Sequence, residues 1–366
     1  MKKKELQRVE AALLESTTTY FDTYNTKGIA VGGERGAVLK IKDIESLVKE
    51  IASSDGDHFH VQVFRSESRV GMTRTGKRLL MNLWAWEEIE KYYPIHDFTP
   101  YVKAFFECSH EHARMYYNLR NPRYVNGDPT GVIESLNSVI EGIRATVGGR
   151  AFKANINTHR RLSNKNYKSL LTYIDAIFEG CSRVLVLRVD LGYSKSVVPR
   201  FREGMQFETV KTQREKLLKL LRRKLPYKTL LGHAWKLEFG ISKGYHYHCM
   251  FFLDGSKLRE DVSWARTVGE LWVERATEGQ GVYYNCNRTK SNYRACGIGM
   301  IEHSDREKRK NLQDAAVYLT KIEYYMRIAT EGRARTFGRG EMPKIAIKKR
   351  GRPRRLLVSE AAQSSI

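Results

Sequence analysis

Two histidines two residues apart, His246 and His248, sit in the apolar run Tyr245-His246-Tyr247-His248-Cys249-Met250-Phe251-Phe252-Leu253. On a β-strand such a pair projects from one face, where two imidazoles can share one metal ion. The preceding residues, Glu238-Phe239-Gly240-Ile241-Ser242-Lys243-Gly244, read as the partner strand and turn of a hairpin. A three-residue loop Ser242-Lys243-Gly244, with Gly244 left-handed, opposes Ile241 to Tyr245, Gly240 to His246 and Glu238 to His248. Opposed residues share a sheet face, so Glu238, His246 and His248 are the expected metal ligands. Two imidazoles and one carboxylate leave coordination positions open for a phosphate, which suits Mg²⁺ or Mn²⁺ as cofactor. A four-residue loop would turn Glu238 to the other face.

About seventy residues later comes Asp314-Ala315-Ala316-Val317-Tyr318-Leu319-Thr320-Lys321-Ile322-Glu323-Tyr324-Tyr325. On a helix Lys321 shares a face with Tyr318. A lysine there can lower the phenol's pKa or hold a phosphate against it, so Tyr318 and Lys321 are the expected catalytic pair. Attack on phosphorus by Tyr318 would give a protein–DNA phosphotyrosine ester and release a 3′-hydroxyl. Tyr325 returns to the same helical face two turns on, about 10.5 Å away at 1.5 Å per residue, which favours a single nucleophile. A second histidine pair, His58-Phe59-His60, follows the turn-like Ser53-Ser54-Asp55-Gly56-Asp57 and has no carboxylate strand to pair with. It reads as structural or surface.

The elements that must position these residues are legible as patterns. Val184 to Leu191 reads as a buried strand ending in polar residues, and Gly297 to Ile301 as another. Helices are expected over Asp43–Ile51, Ile133–Ala145, Asn166–Phe178, Thr209–Leu225, Trp264–Arg275 and from about Leu312 to Ile328. His58 to Phe64 reads as a strand. Strands interrupted by helices around a central hairpin indicate an α+β fold, its sheet covered on one side. No internal repeat is present. An Asn-, Pro-, Gly- and Asp-rich stretch at 118–129 reads as a linker. The expected division is residues 1–120 as a mixed, mainly helical region, 121–149 as linker and helix, 150–335 as the domain carrying the chemistry, and 336–366 as a basic flexible tail.

Composition narrows the partner. The 366 residues carry a formal charge of +23 with 41% hydrophobic and 11% aromatic content, so the chain folds and favours a polyanion. No run of 18 apolar residues is present to span a membrane. Met1-Lys2-Lys3-Lys4 resembles the start of a signal peptide, but Glu5-Leu6-Gln7-Arg8-Val9-Glu10 puts charges where its apolar segment should be, which indicates a cytoplasmic chain. Five cysteines without CxxC spacing argue against disulfides and a structural zinc.

Three motifs in order resemble one family: Arg188-Val189-Asp190-Leu191-Gly192-Tyr193, then Gly244-Tyr245-His246-Tyr247-His248, then Ala316-Val317-Tyr318-Leu319-Thr320-Lys321. They are similar to the HUH endonuclease superfamily of rolling-circle replication initiators and relaxases, and more narrowly to filamentous-phage gene II type initiators and the prophage YagK/YfjJ proteins. The resemblance covers roughly residues 150 to 335. It implies a central five-stranded antiparallel sheet with the histidines on a central strand. It also implies metal-dependent nicking and joining of single-stranded DNA at a replication origin of a phage, prophage or plasmid through a 5′-phosphotyrosine. Arg188 and Asp190 lie where that family's first motif falls and are expected to contact DNA. A single-strand transposase or a DNA-binding regulator without chemistry are the competing expectations.

Two further segments bear on nucleic acid. Lys349-Arg350-Gly351-Arg352-Pro353-Arg354-Arg355 resembles an AT-hook, whose Arg350 and Arg352 would enter the minor groove; the alternative is an unspecific basic tail, and either is expected to add phosphate affinity. The tail from Arg333 to Arg355 holds ten basic residues against one acid. The basic helix with Lys216, Lys219, Arg222, Arg223 and Lys224 is expected to join the DNA track, the alternative being a solvated face. Gly71-Met72-Thr73-Arg74-Thr75-Gly76-Lys77-Arg78 nearly matches a phosphate-binding loop, but Arg78 replaces the hydroxyl residue that would hold Mg²⁺. With no other ATPase signal, duplex unwinding is expected to come from a host helicase and replication machinery.

Overall fold

The computed structural model describes residues 9, 18–23, 26–31, 34–64, 67–115, 128–199, 207–293, 295–321, 324–329 and 335–343. The first part of the chain contains β1 (Thr18–Thr23), β2 (Thr26–Val31), α1 (Glu34–Ala52), β3 (Phe59–Phe64), β4 (Glu67–Met72), α2 (Arg74–Asn82), α3 (Ala85–Tyr92), β5 (His96–Phe98) and α4 (Pro100–Met115). Next come α5 (Thr130–Gly148), α6 (Arg150–Gly180), β6 (Arg183–Tyr193), α7 (Phe207–Lys224), β7 (Leu230–Gly240) and β8 (Gly244–Asp254). The chain continues through α8 (Asp261–Glu270) with a π-helical turn Leu271–Ala276, β9 (Gly281–Asn285), β10 (Gly299–Glu302), α9 (Arg306–Lys321), β11 (Met326–Ile328) and β12 (Phe337–Arg339).

The main sheet is antiparallel, in the order β10-β6-β8-β7-β12, with β9 also pairing β6. β10 pairs residues 183–186 of β6 and β9 pairs residues 189–193, so these two strands lie end to end along one edge of β6. The sheet therefore has six strands in place of the five expected, and β8 lies in its middle. Residues expected in the flexible tail are part of it, since Phe337–Arg339 forms the edge strand beside β7.

Both faces of this sheet are covered, contrary to the one-sided expectation. Leu185, Leu187, Val189, Leu237, Tyr247 and Phe251 point to a core closed by α7, α8 and the π-turn. Val184, Val186, Ala234, Met250 and Phe252 point the other way, to a core closed by α6 and α9. Burial on both faces explains why β6 and β8 read as nearly continuous apolar runs. Each Val, Leu, Met or Phe side chain among them contributes about 1.5–3 kcal/mol on burial. The second face is apolar only at one end. Towards the other end the same alternation presents Arg188, Asp190, Lys236, Glu238, His246 and His248.

The tyrosine-bearing helix α9 joins two cores. Leu312, Ala316 and Leu319 pack on the sheet, whereas Val317 and Tyr318 enter a core built on Ile41, Leu47, Phe59, Phe105 and Ile140. The helix expected to run to Ile328 stops at Lys321, and Met326–Ile328 pairs antiparallel with β5. Tyr324 and Tyr325 lie beyond the end of the helix, buried in the same core that Tyr318 enters, and the Tyr324 hydroxyl donates to Glu45 Oε1 at 2.9 Å. The region 71–78 is no phosphate loop: Thr73 caps α2 by accepting from Gly76 N–H at 3.2 Å, and the Arg78 guanidinium is tied to Glu50 and Asp43. No helix among the described residues is long and apolar enough to cross a membrane.

The β7–β8 turn is the local element on which the site depends. Its loop has three residues, as expected, but they are Ile241-Ser242-Lys243, with Gly240 opposite Gly244 and Glu238 opposite His246. Lys243 N–H donates to Gly240 C=O at 3.2 Å, and Gly244 adopts φ +62°. A side chain in that left-handed conformation costs about 1–2 kcal/mol. Gly244→Ala is therefore expected to lower stability by about 1 kcal/mol in urea melts, and Gly244→Asn by less, because asparagine tolerates the conformation.

Candidate metal centre and nucleophile

The observed register differs from the expected one by two residues, so Glu238 stands directly across from His246 and Lys236 across from His248. A shift of two preserves the face, and Glu238 remains beside both imidazoles. Its Oε2 is 3.6 Å from His246 Nε2 and 3.3 Å from His248 Nε2. Candidate ligand atoms of the three residues all lie within 4.8 Å of one another.

The two rings are held from behind. His246 Nδ1 lies 3.1 Å from the carbonyl oxygen of Gly244, and His248 Nδ1 lies 2.8 Å from Asp190 Oδ1 across the β6–β8 pairing. The latter contact is close but out of hydrogen-bond alignment. Both histidines thus turn Nε2 towards Glu238, the arrangement in which outer groups fix the orientation of metal ligands. Glu238 Oε1 and His246 Nε2 are buried without a hydrogen-bond partner among the described residues. Buried polar atoms without partners call for an explanation, and these converge on one point. The donor set fits a divalent cation.

The electrostatics demand positive charge at this point. Burial raises the Asp190 carboxyl, but His248 and Arg188 outweigh it and bring it to about 2. Burial opposes charge on Glu238 as well, and the histidines hold it well below the carboxylate range. Burial also opposes charge on His248, yet Asp190 and Glu238 draw its pKa up to about 9. His246 is pushed down, mainly by burial, which leaves it neutral and ready to donate an electron pair. A bound divalent ion would take over the charge that the His248 proton supplies in its absence.

Tyr318 reaches this centre from α9. Its hydroxyl is 3.3 Å from His248 Nε2 and its ring stands at 90° to that imidazole, with centroids 5.0 Å apart. The Arg188 guanidinium lies 4.5 Å from the tyrosine ring centroid and its Nε is 3.7 Å from Asp190 Oδ1. Arg188 and Asp190, expected on a DNA track, are therefore placed inside the centre, one against the tyrosine and one behind a histidine. Lys321 ends α9 one turn beyond Tyr318, and its side chain lies outside the described residues, as do Arg350 and Arg352. The basic helix α7 covers the opposite face of the sheet, through Val210, Leu217 and Leu221. Its lysines and arginines are thus not beside Tyr318. His58 is occupied by Thr73 Oγ1 at 2.8 Å and Ser54 Oγ at 3.0 Å, in agreement with its structural reading.

No local pattern marks the residues that form the other wall of the site. A solvent-open cleft lies beside Glu238 and His246, and Glu34, Tyr93 and His96 of the N-terminal region line it. Glu34 accepts from Ser242 N–H at 3.3 Å and from the Ser242 hydroxyl, so the start of α1 clasps the hairpin loop. These contacts span some two hundred positions, a separation that local periodicity does not encode.

Asp190→Asn is expected to weaken Mn²⁺ binding by about 10–100-fold, because the outer partner of a ligating histidine sets its orientation and basicity; titration calorimetry measures this. The raised pKa of His248 gives a second expectation. In the metal-free protein its protonation adds stability that is fully present below the ordinary histidine value of 6.5 and is lost as pH rises through about 9. Since the ion competes with that proton, Mn²⁺ affinity should climb from pH 6.5 to 9 and level off above it, with release of about one proton per ion bound at neutral pH.

A family model described as the YagK/YfjJ C-terminal domain covers residues 150–340, the span that holds β6 to β12, the histidine pair and Tyr318. No curated protein and no solved structure matches the chain. With more than half of its length matched, the chain belongs to the YagK/YfjJ C-terminal domain family.

Proposed function

We propose that this chain is a metal-dependent endonuclease that nicks and rejoins single-stranded DNA, acting as a rolling-circle replication initiator of the HUH type. The observation that carries this reading is the 3.3 Å approach of the Tyr318 hydroxyl to His248 within the Glu238–His246–His248 cluster. Residues seventy positions apart meet in the order that metal-assisted attack by a tyrosine requires. The charge of +23 favours a phosphodiester substrate. The family's name, which is that of prophage proteins, fits a mobile-element origin.

In this reading Tyr318 Oη forms a bond to phosphorus and the P–O3′ bond breaks. The phenol gives up its proton and the departing 3′-oxygen takes one up, so a 5′-phosphotyrosine and a 3′-hydroxyl result. Mg²⁺ or Mn²⁺ held by Glu238, His246 and His248 would supply Lewis-acid polarisation of the phosphate. Asp190 keeps His248 turned to present Nε2. Arg188 places a fixed cation beside the tyrosine, where it can meet the negative charge of the phosphate, and Lys321 would add a second one from the end of α9. The ester conserves the energy of the broken bond, so rejoining needs no ATP, and strand separation would fall to a partner helicase.

The same donor set of two histidines and one carboxylate occurs in iron(II) oxygenases. A tyrosine at the cluster and a strongly basic chain favour phosphoryl transfer. The test is incubation of the full chain with single-stranded DNA and Mn²⁺, read as a slow-migrating covalent adduct on a denaturing gel. The wild type is expected to form it, and Tyr318→Phe to reduce it by about 10⁴-fold or more, as loss of an enzyme's nucleophile does. An adduct that survives Tyr318→Phe would move the nucleophile elsewhere.

A further inference from the structure

The cavity beside the cluster has a defined position relative to Tyr318. Glu238 and His246 line it, together with Tyr93, His96, Phe239 and Lys243, whereas His248 and Tyr318 do not. It therefore opens on the flank of the cluster away from the tyrosine. In phosphoryl transfer the attacking and leaving oxygens lie roughly in line across phosphorus. A phosphate attacked by Tyr318 directs its leaving 3′-oxygen, and the nucleotide that bears it, towards that flank.

The lining suits a nucleobase. His96 stacks edge-on to Tyr93 with ring centroids 5.0 Å apart and stands 6.3 Å from the Phe239 ring. Aromatic walls of this kind hold bases by stacking. His96 Nδ1 is buried without an aligned hydrogen-bond partner among the described residues. Burial, working against a hydrogen bond with the Tyr93 backbone, brings its pKa down to about 4, so at neutral pH the ring is uncharged.

The wall is built in place. β5, which begins at His96, pairs with β11, and Asp97 accepts from Arg327 Nε and Nη2 at 2.9 and 2.6 Å. Glu34 holds the hairpin loop from the other side. His96 and Tyr93 lie outside the matched family domain, which begins at residue 150.

We propose that this cavity seats the base of the nucleotide whose 3′-oxygen departs, and that His96 and Tyr93 of the N-terminal region discriminate its identity. The proposal rests on the nicking reading above and assigns its specificity on the 5′ side of the nick to a part of the chain that the family domain lacks.

The test uses the full chain, Mn²⁺ and a pool of single-stranded DNA of randomised sequence, with both products sequenced. In the wild type the last base of the released 3′-hydroxyl strand should be biased. His96→Asn and Tyr93→Leu should flatten that bias by about 5-fold or more, the scale of a lost stacking contact, and leave the bias at the first base of the adduct strand and the Mn²⁺ affinity in place. A wild-type experiment guards against variants that do not fold. Replacing the last base before the preferred nick by an abasic residue should reduce adduct formation by about 5–100-fold. An unbiased terminal base, a bias untouched in both folded variants, or indifference to the abasic residue would overturn the proposal. Absence of any cleaved strand or adduct with the wild type would instead defeat the nicking reading, and the proposal with it.

Discussion

The pairing parity of β7 and β8 is the constraint from which the rest of the site follows. Side chains alternate with a period of two, so only an even register keeps Glu238 on the face of His246 and His248. A slip of one residue would bury Glu238 among Tyr247 and Trp272 in the opposite core and bring Leu237 or Phe239 to the histidines. The three-residue loop and the positive φ of Gly244 hold that parity. The strand β6 then contributes Asp190 opposite His248, because its own pairing with β8 runs in step.

Burial of two carboxylates in one place has electrostatic consequences. Isolated buried charges are costly, and proteins neutralise them by pairing, protonation or metal binding. Asp190 and Glu238 draw on Arg188 and on a protonated His248. Removal of any one cation leaves charge uncompensated, so the polar end of this sheet face behaves as a unit. Tyr318 joins it through His248 and Arg188. The N-terminal region closes the unit from the side, through the clasp of Glu34 on Ser242 and the pairing of β5 with β11.

Much of the candidate site was legible in the residues. The His-x-His spacing, the turn glycine and the upstream carboxylate are local features, and locality is what period and turn chemistry encode. The expected pairing of Glu238 with His248 was off by two positions because a hairpin's hydrogen-bond register depends on where in the loop the turn closes, and Ser242-Lys243-Gly244 and Ile241-Ser242-Lys243 are both three-residue loops. Asp190 illustrates partial legibility. Arg188 and Asp190 break the apolar pattern of β6 at alternate positions and so were recognisable as one polar face, but their proximity to Tyr318 and His248 depends on strand order. The end of α9 was misplaced since Tyr324, Tyr325 and Met326 continue an apolar pattern that helix and strand both satisfy. Their burial against Glu45 and β5 decides between them. Two-sided cover of the sheet and the cavity wall of Tyr93 and His96 are non-local, and nothing in their neighbourhood in sequence signals them.

The proposed chemistry requires a divalent ion at Glu238, His246 and His248 within reach of Tyr318. Anomalous diffraction at the manganese edge from Mn²⁺-soaked crystals tests that most directly. The expected result is a single strong peak bonded to Glu238 and to the Nε2 atoms of His246 and His248, absent in His246→Ala. A peak held by other residues, or none at a Mn²⁺ concentration that saturates binding in solution, would contradict it.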